Sequence, residues 1–363
     1  MKSGRILVIH GDRPKEMALR LLDEARVGSL LGRDARVVLK PNLLAAKEAS
    51  TGATTSPEVA EGVVEFLKRC GVKDIVIAES SSVGCDTRKA FRVCGYERLA
   101  RKHRLALVDL KRDRFLKIEA GGLELQVSRT ALEADLLIDL PVLKGHCQTR
   151  MSCAVKNLKG CIPDAEKRRF HRLGLHRPIA ALAAVVKPRI VVVDALCGDL
   201  SFEEGGTPVR MDRLILGFDP VLVDCYAAAL MGYDPGEIQY LGLASELGAG
   251  SMDLQGARIR QIGRPAPLPQ RPPSSLARLG RRIEAREACS ACYGGLMHAL
   301  RRLQERGALK RLRGPIHVGQ GFRGLSLPGL GVGSCASGFS SSLPGCPPDT
   351  RRILQFLVSS VHA

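Results

Sequence analysis

A chain of 363 residues, 45% hydrophobic and 25% charged, is long enough for two domains and too apolar for wholesale disorder. Lys and Arg number 55 against 37 Asp and Glu, a net +18, which favours anionic partners. Aromatics are 4% with no Trp, and the basic residues are scattered along the chain, so stacking platforms are scarce and a nucleic-acid partner is disfavoured.

The opening MKSGRILVIH has an apolar run too short for a secretory signal, and no small-residue cleavage site follows. The apolar run at 5–10 reads as a strand, and an amphipathic helix is expected over 14–26. ARVVLK (35–40) is β-branched and stops at Pro41-Asn42. Ser56-Pro57-Glu58 opens the next helix, with Ser56 as N-cap and Pro57 at the first helical position, and Gly71 ends it. DIVIAE (74–79), LALVDL (105–110), DLLIDL (135–140) and RIVVVD (189–194) follow as further strands. Such near-continuous apolar runs suit strands covered on both faces, so the expected fold is α/β, a mostly parallel open sheet with helices on both faces. Residues 117–128 suggest an antiparallel excursion. The longest apolar helix candidate, 179–186, is too short to cross a bilayer, and a cytoplasmic location without a membrane partner is the expectation. The α/β domain is assigned to 1–260, a proline-rich linker to 261–276 and a small C-terminal domain to 277–363.

Twelve cysteines in that compartment read as thiols or metal ligands rather than disulfides. Four lie in the C-terminal part. Cys289 and Cys292 form a C-x-x-C pair, and Cys335 and Cys346 follow in Gly-rich loops, the latter in Gly345-Cys346-Pro347-Pro348. Four thiolates are the usual requirement of an iron–sulfur cluster, and small neighbouring residues let backbone approach it. The expected cofactor is one 4Fe-4S cluster on these four residues. Zinc is the main competitor, but a zinc ribbon has two short knuckles, and here ten residues separate the second pair. Residues 333–357 also resemble a stretch of the small cluster-bearing subunit of respiratory complex I and nickel–iron hydrogenases, where GCPP precedes an apolar helix.

Polar residues gather where strands end: Lys40 and Asn42, Thr55, Glu79, Lys144 and His146, Lys156 and Asn157, and Asp194. Ligands of open α/β sheets bind at the carboxyl ends of strands. Lys40, Lys144 and Lys156 would make such a crevice cationic and suited to a carboxylate or phosphate, with His146 as acid/base or metal ligand. His171 and His176 could line it. Glu203 and Glu204 read as solvated loop charges, and Cys147, Cys153 and Cys161 as small buried residues, a second metal centre being the alternative.

VVLKPNLL (37–44), TTSPEVAEGVVEFLKRCG (54–71), DLPVLKGHCQTRMSCAVKNLKGC (139–161) and GFDPVLVDCYAA (217–228) occur in order and resemble the domain-of-unknown-function family 362. The resemblance covers roughly residues 35–250. It implies an α/β domain coupled to redox chemistry, with Lys40, Asn42, Lys144, His146, Lys156, Asn157, Asp219 and Asp224 on its signature positions.

The reading that follows is an iron–sulfur redox protein. Lys144, His146 and Lys156 are the catalytic candidates. Lys40, Asn42, Thr55, Asn157, His176, Asp194 and Asp224 are the ligand-binding candidates, and Cys289, Cys292, Cys335 and Cys346 the metal ligands. An acidic redox partner such as a ferredoxin, or an anionic small molecule, would complete it. The alternative is a non-redox enzyme or binding protein for a carboxylate or phosphate, with a structural metal at the C-terminus.

Overall fold

The computed structural model describes residues 4–32, 34–268 and 275–362. The chain divides into one unit of Met1–Lys167 with His176–Arg271 and a second of Arg168–Leu175 with Pro272–Ala363. The stretch 168–175, inside a region the sequence assigns wholly to the first domain, thus belongs with the second.

The first unit contains strands β1 (Arg5–His10), β2 (Val37–Pro41), β3 (Ile75–Glu79), β4 (Ala106–Asp109), β5 (Phe115–Ala120), β6 (Leu123–Ser128), β7 (Leu136–Leu140), β8 (Lys144–His146), β9 (Arg150–Ser152), β10 (Ile190–Gly198), β11 (Val209–Gly217) and β12 (Arg258–Ile262). Eight of them make one sheet in the order β12-β1-β11-β10-β7-β2-β3-β4. Every neighbouring pair is parallel except those of β11, which runs against β1 and β10. Alternate side chains such as Leu7, Leu39, Ile77, Ile138 and Val192 pack with Leu21 and Leu22 of helix Pro14–Glu24 and Val63 and Phe66 of helix Pro57–Arg69. Their neighbours Val8, Val38, Val76, Leu137 and Val193 are buried as well. Both faces are covered, which is why the strands read as continuous apolar runs. Ser56 caps its helix as expected, accepting from the Glu58 amide at 3.2 Å. The excursion at 117–128 is the antiparallel hairpin β5–β6.

Two elements depart from the sequence reading. β11 escaped because Arg210, Asp212 and Arg213 charge its first half, with only LILG forming an apolar run. The stretch 261–276 is not a simple linker: Gln261 and Ile262 end β12, and helix Ser275–Gly280 begins before 276. Residues 269–274 of that assignment lie outside the described residues.

The second unit holds strands β13 (Ile283–Ala285), β14 (Ile316–Val318), β15 (Leu327–Val332) and β16 (Phe339–Leu343), paired in that order and all parallel. Helix Ser290–Glu305 follows β13 and helix Thr350–His362 follows β16, and Leu296, Leu300, Leu303, Ile353 and Leu357 are buried. No helix among the described residues is long and apolar enough to cross a membrane.

Candidate functional sites

In the first unit, parallel strands deliver polar side chains to one edge. Lys40, near the end of β2, sits in register with Asp139 of β7. Lys40 is fully buried, and its Nζ donates to Glu79 Oε2 at 3.1 Å, Glu79 Oε1 at 3.2 Å and the Pro41 carbonyl at 3.0 Å. Glu79 also accepts from the amides of Leu43 (3.0 Å) and Ser80 (2.7 Å). Burial disfavours the Lys40 cation, but Glu79 outweighs it and the ammonium stays above its ordinary pKa. A Cβ on Gly160 would stand 2.0 Å from Glu79 Oε1 and 2.6 Å from Lys40 Nζ, so only glycine fits over the pair.

A second chain of bonds runs alongside. Lys144 Nζ donates to Asn42 Oδ1 (3.0 Å) and the Ala53 carbonyl (2.6 Å). Asn42 Nδ2 donates to Asn157 Oδ1 (2.8 Å), and Asn157 Nδ2 donates to Asp139 Oδ1 (2.7 Å). Thr55 Oγ1 accepts from the Asn42 amide (2.8 Å) and donates to the Leu140 carbonyl (2.6 Å). Burial pulls Lys144 down to about 7 and pushes Asp139 up to about 8. Asp139 is thus a neutral acid at pH 7, and its Oδ2 has no partner.

The third group centres on Glu203. Its Oε2 accepts from Lys156 Nζ at 2.8 Å and lies 3.2 Å from His146 Nε2. His146 Nδ1 accepts the amides of Gln148 (3.1 Å) and Thr149 (3.0 Å), so the ring proton belongs on Nε2, facing Glu203. Burial pulls His146 down to about 4, which makes it neutral at pH 7. Burial opposes the Glu203 charge, yet its basic neighbours hold the carboxyl well below its ordinary range. Asp199 seats the loop by accepting the amides of Ser201, Phe202 and Thr207.

The sequence candidates Lys40, Asn42, Thr55, Lys144, His146, Lys156 and Asn157 therefore come together. They form a buried network in place of the expected cationic crevice, with Glu79 and Glu203 set against Lys40 and Lys156. Glu203 is not a solvated loop charge: its side chain is 10% exposed. The three other candidates have partners of their own. Asp194 accepts the Ser56 (2.8 Å) and Leu196 (3.1 Å) amides, and burial raises it to about 6. Asp224, raised to about 7 by burial, accepts the Ala154 (2.7 Å) and Val155 (3.1 Å) amides and so caps helix Ala154–Asn157 rather than its own. His176 stacks on Tyr240 with ring centres 6.3 Å apart. Cys153 and Cys161 are buried as expected of small core residues, whereas Cys147 is only partly buried. Sequence reasoning missed Asp139, Asp199 and Lys167. Asp139 carried a signal, an acid inside an otherwise apolar strand. Lys167, which burial pulls down to about 8, donates to the Ser80 (2.9 Å) and Ser81 (2.7 Å) carbonyls from a helix with no local hint of that role.

In the second unit the cysteines are set by the same parallel logic. Cys289 and Cys292 follow β13, Cys335 follows β15 and Cys346 follows β16, so their loops leave one edge of the sheet. Cys289 is the N-cap of helix Ser290–Glu305 and Cys292 lies in its first turn. Burial, with the sulfurs of Cys289, Cys346 and Cys335 close by, pushes the Cys292 thiol up to about 12. Gly333, at φ +94°, passes under Cys292, where an added Cβ would lie 3.5 Å from its sulfur. The Ser334 amide donates to the Gly345 carbonyl (2.8 Å) and the Gly345 amide to Ser334 Oγ (3.1 Å), tying the Cys335 and Cys346 loops together. The loop after β14 brings donors instead: Gln320 Nε2 to Cys289 Sγ at 3.8 Å and Arg323 Nη2 to Cys335 Sγ at 3.3 Å.

Comparison with known proteins adds three likenesses. A thylakoid-associated protein of Synechocystis sp. is 27% identical over 235 residues, spanning 61% of this chain and 71% of that protein. The lactate racemase apoprotein of Thermoanaerobacterium thermosaccharolyticum is 16% identical with a TM-score of 0.37, over 52% of this chain and 50% of that one. A Thermotoga maritima protein is 15% identical with a TM-score of 0.38, over 65% and 60%. The match thus spans about half of the racemase chain and three-fifths of the Thermotoga chain. Residues 37–229, which carry Lys40, Asn42, Thr55, Asp139, Lys144, His146, Lys156, Asn157, Glu203 and Asp224, match the family described as domain of unknown function (DUF362), and the chain belongs to that family.

Proposed function

We propose that this chain is an iron–sulfur redox protein that holds one 4Fe-4S cluster on Cys289, Cys292, Cys335 and Cys346 and serves an electron-transfer or oxidoreductase step. The observation that carries this is the convergence of the four cysteines at one edge of a parallel sheet, with N–H donors from the remaining loop aimed at two of their sulfurs. When bound, the cluster supplies one-electron chemistry. The ligand spacing in sequence supports it over zinc, because a zinc ribbon has two short knuckles and here ten residues separate Cys335 from Cys346. The chain's +18 charge supports an acidic carrier such as a ferredoxin as partner, and a reducing cytoplasm suits the cluster.

A second reading is a non-redox protein for a carboxylate or phosphate. It rests on the buried donors Lys156 and His146, which meet the Glu203 carboxylate and would hold an external anion only where that carboxylate gave way. Metal content separates the two. Protein purified without oxygen is assayed for iron, sulfide and zinc, and the reduced sample is examined by electron paramagnetic resonance. About four irons and four sulfides per chain with a low-temperature rhombic signal bear out the redox reading. About one zinc and no iron sinks it and leaves the anion reading.

A further inference from the structure

We propose that Arg323 sets the reduction potential of the cluster, by donating a charge-assisted hydrogen bond to the sulfur of Cys335. The inference rests on the cluster reading above. Each strand of the second sheet is followed by a loop at the same edge, and three of those loops carry cysteines. The loop after β14 carries none. It brings Gln320 and Arg323, which donate to Cys289 Sγ (3.8 Å) and Cys335 Sγ (3.3 Å). One loop of four is thus given to donors rather than ligands.

Arg323 directs its guanidinium to a cysteine sulfur, whereas other arginines of this unit are held in ion pairs. Arg286 is paired with Glu284 at 2.7 Å, and Arg301 and Arg302 with Glu305 at 3.4 and 2.7 Å. Among the described residues no ion pair with a carboxylate holds the Arg323 guanidinium, and its side-chain bond goes to Cys335 Sγ at 3.3 Å. A guanidinium keeps its charge across the working pH range, so the donor stays cationic whatever the pH.

Reduction places one further electron, supplied by the reductant, on a centre already negative through its four thiolates. Part of that charge falls on the sulfurs, and hydrogen bonds to them tune the potential. A cation bonded to a sulfur is held more strongly by the reduced than by the oxidised centre, so Arg323 raises the potential. Because the side chain is exposed, salt weakens this effect.

The test is an anaerobic redox titration of the full-length, cluster-loaded protein and its Arg323→Met and Arg323→Lys variants. Iron and sulfide content is measured first. The Met variant should keep its iron and lose about tenfold in preference for the electron, a potential about 59 mV lower for this one-electron couple. The Lys variant should lose less, since it keeps the charge and gives up the planar fork. In about 1 M salt the wild type should move toward the Met variant. Equal iron with potentials within twofold of one another overturns the proposal. Iron lost from the Met variant alone also overturns it, since Arg323 would then act in assembly. A wild type without iron fails at the first measurement and overturns the cluster reading itself.

Discussion

Glu203→Ala is the sharpest test of the buried network in the α/β unit. The substitution removes the acceptor of Lys156 Nζ, whose side chain is 6% exposed, and of the His146 Nε2 proton. Breaking a buried pair by deleting one partner costs about 3–5 kcal/mol, because the remaining charge is stranded. An unpaired imidazole N–H adds about 1 kcal/mol, and deprotonation of the stranded Lys156 returns some of this. A net loss of about 4 kcal/mol corresponds to a fall of about 8–16 °C in Tm for a domain of this size. Glu203→Gln should lose about half as much. The double change Glu203→Leu with Lys156→Met should recover about 2 kcal/mol or more over the single alanine variant, since apolar residues replace a buried pair at little cost. Thermal melts followed by circular dichroism at pH 7 read all of these. Raising salt from about 0.1 to 0.5 M should leave the differences unchanged, because buried pairs are poorly screened. An alanine variant within about 0.5 kcal/mol of wild type and sensitive to salt would refute the reasoning, since that is how a surface charge behaves.

Gly160→Ala should destabilise by at least about 3 kcal/mol, because the new methyl would collide with both ends of the Lys40–Glu79 pair. Gly242→Ala, where a Cβ meets nothing within 4 Å in helix Gln239–Glu246, should be neutral or slightly stabilising in the same melts. Asp139 holds its proton to about pH 8 when folded and releases it near its ordinary value when unfolded, so between about pH 4 and 8 the native state binds the extra proton. Its contribution to stability therefore falls as pH rises, by up to about 1.4 kcal/mol per unit, and Asp139→Asn should gain on wild type across urea titrations from pH 5 to 8; a pH-independent difference would refute this. Cys289→Ser and Cys346→Ser should each lose visible absorption and bound iron, and full colour in both would show the ligands to be misassigned.

The sheet was legible because the physics of burial on two faces writes itself into the strands. VVLKP, IVIAE and LLIDL are buried along their whole length, and no surface sequence looks like them. The polar ends were legible for the related reason that Lys40 and Lys144 interrupt apolar surroundings. Their partners were not. Glu203 lies in a Gly-rich loop whose local pattern is that of solvated sequence. It is buried because Asp199, four residues earlier, folds the loop back onto His146 and Lys156, a long-range event that no local pattern records. The same holds for Asp224. Position in its own helix, Pro220–Leu230, suggests a dipole partner, whereas its oxygens cap a helix some seventy residues earlier. Sequence thus marks which polar groups are costly to bury, and tertiary structure decides which of them neutralise one another.

That distinction changes what the net charge means. Lys40 and Lys156 are each matched by a buried carboxylate, and Lys144 is held by neutral oxygens. They do not supply the basic face an anionic partner would meet, although the sequence made them its centre. The excess lies elsewhere. Residues 272–363 carry thirteen Arg and Lys against four Asp and Glu, half of the chain's +18 in about a quarter of its length. Of those four acids, Glu284 and Glu305 are already paired with arginines, and Asp349 accepts the Arg351 amide at 2.8 Å. Uncompensated positive charge therefore accompanies the cysteines rather than the strand ends of the larger unit. A negatively charged partner would be drawn to that part of the chain, and its affinity there should fall steeply with ionic strength, because exposed charges are screened and the buried lysines are not.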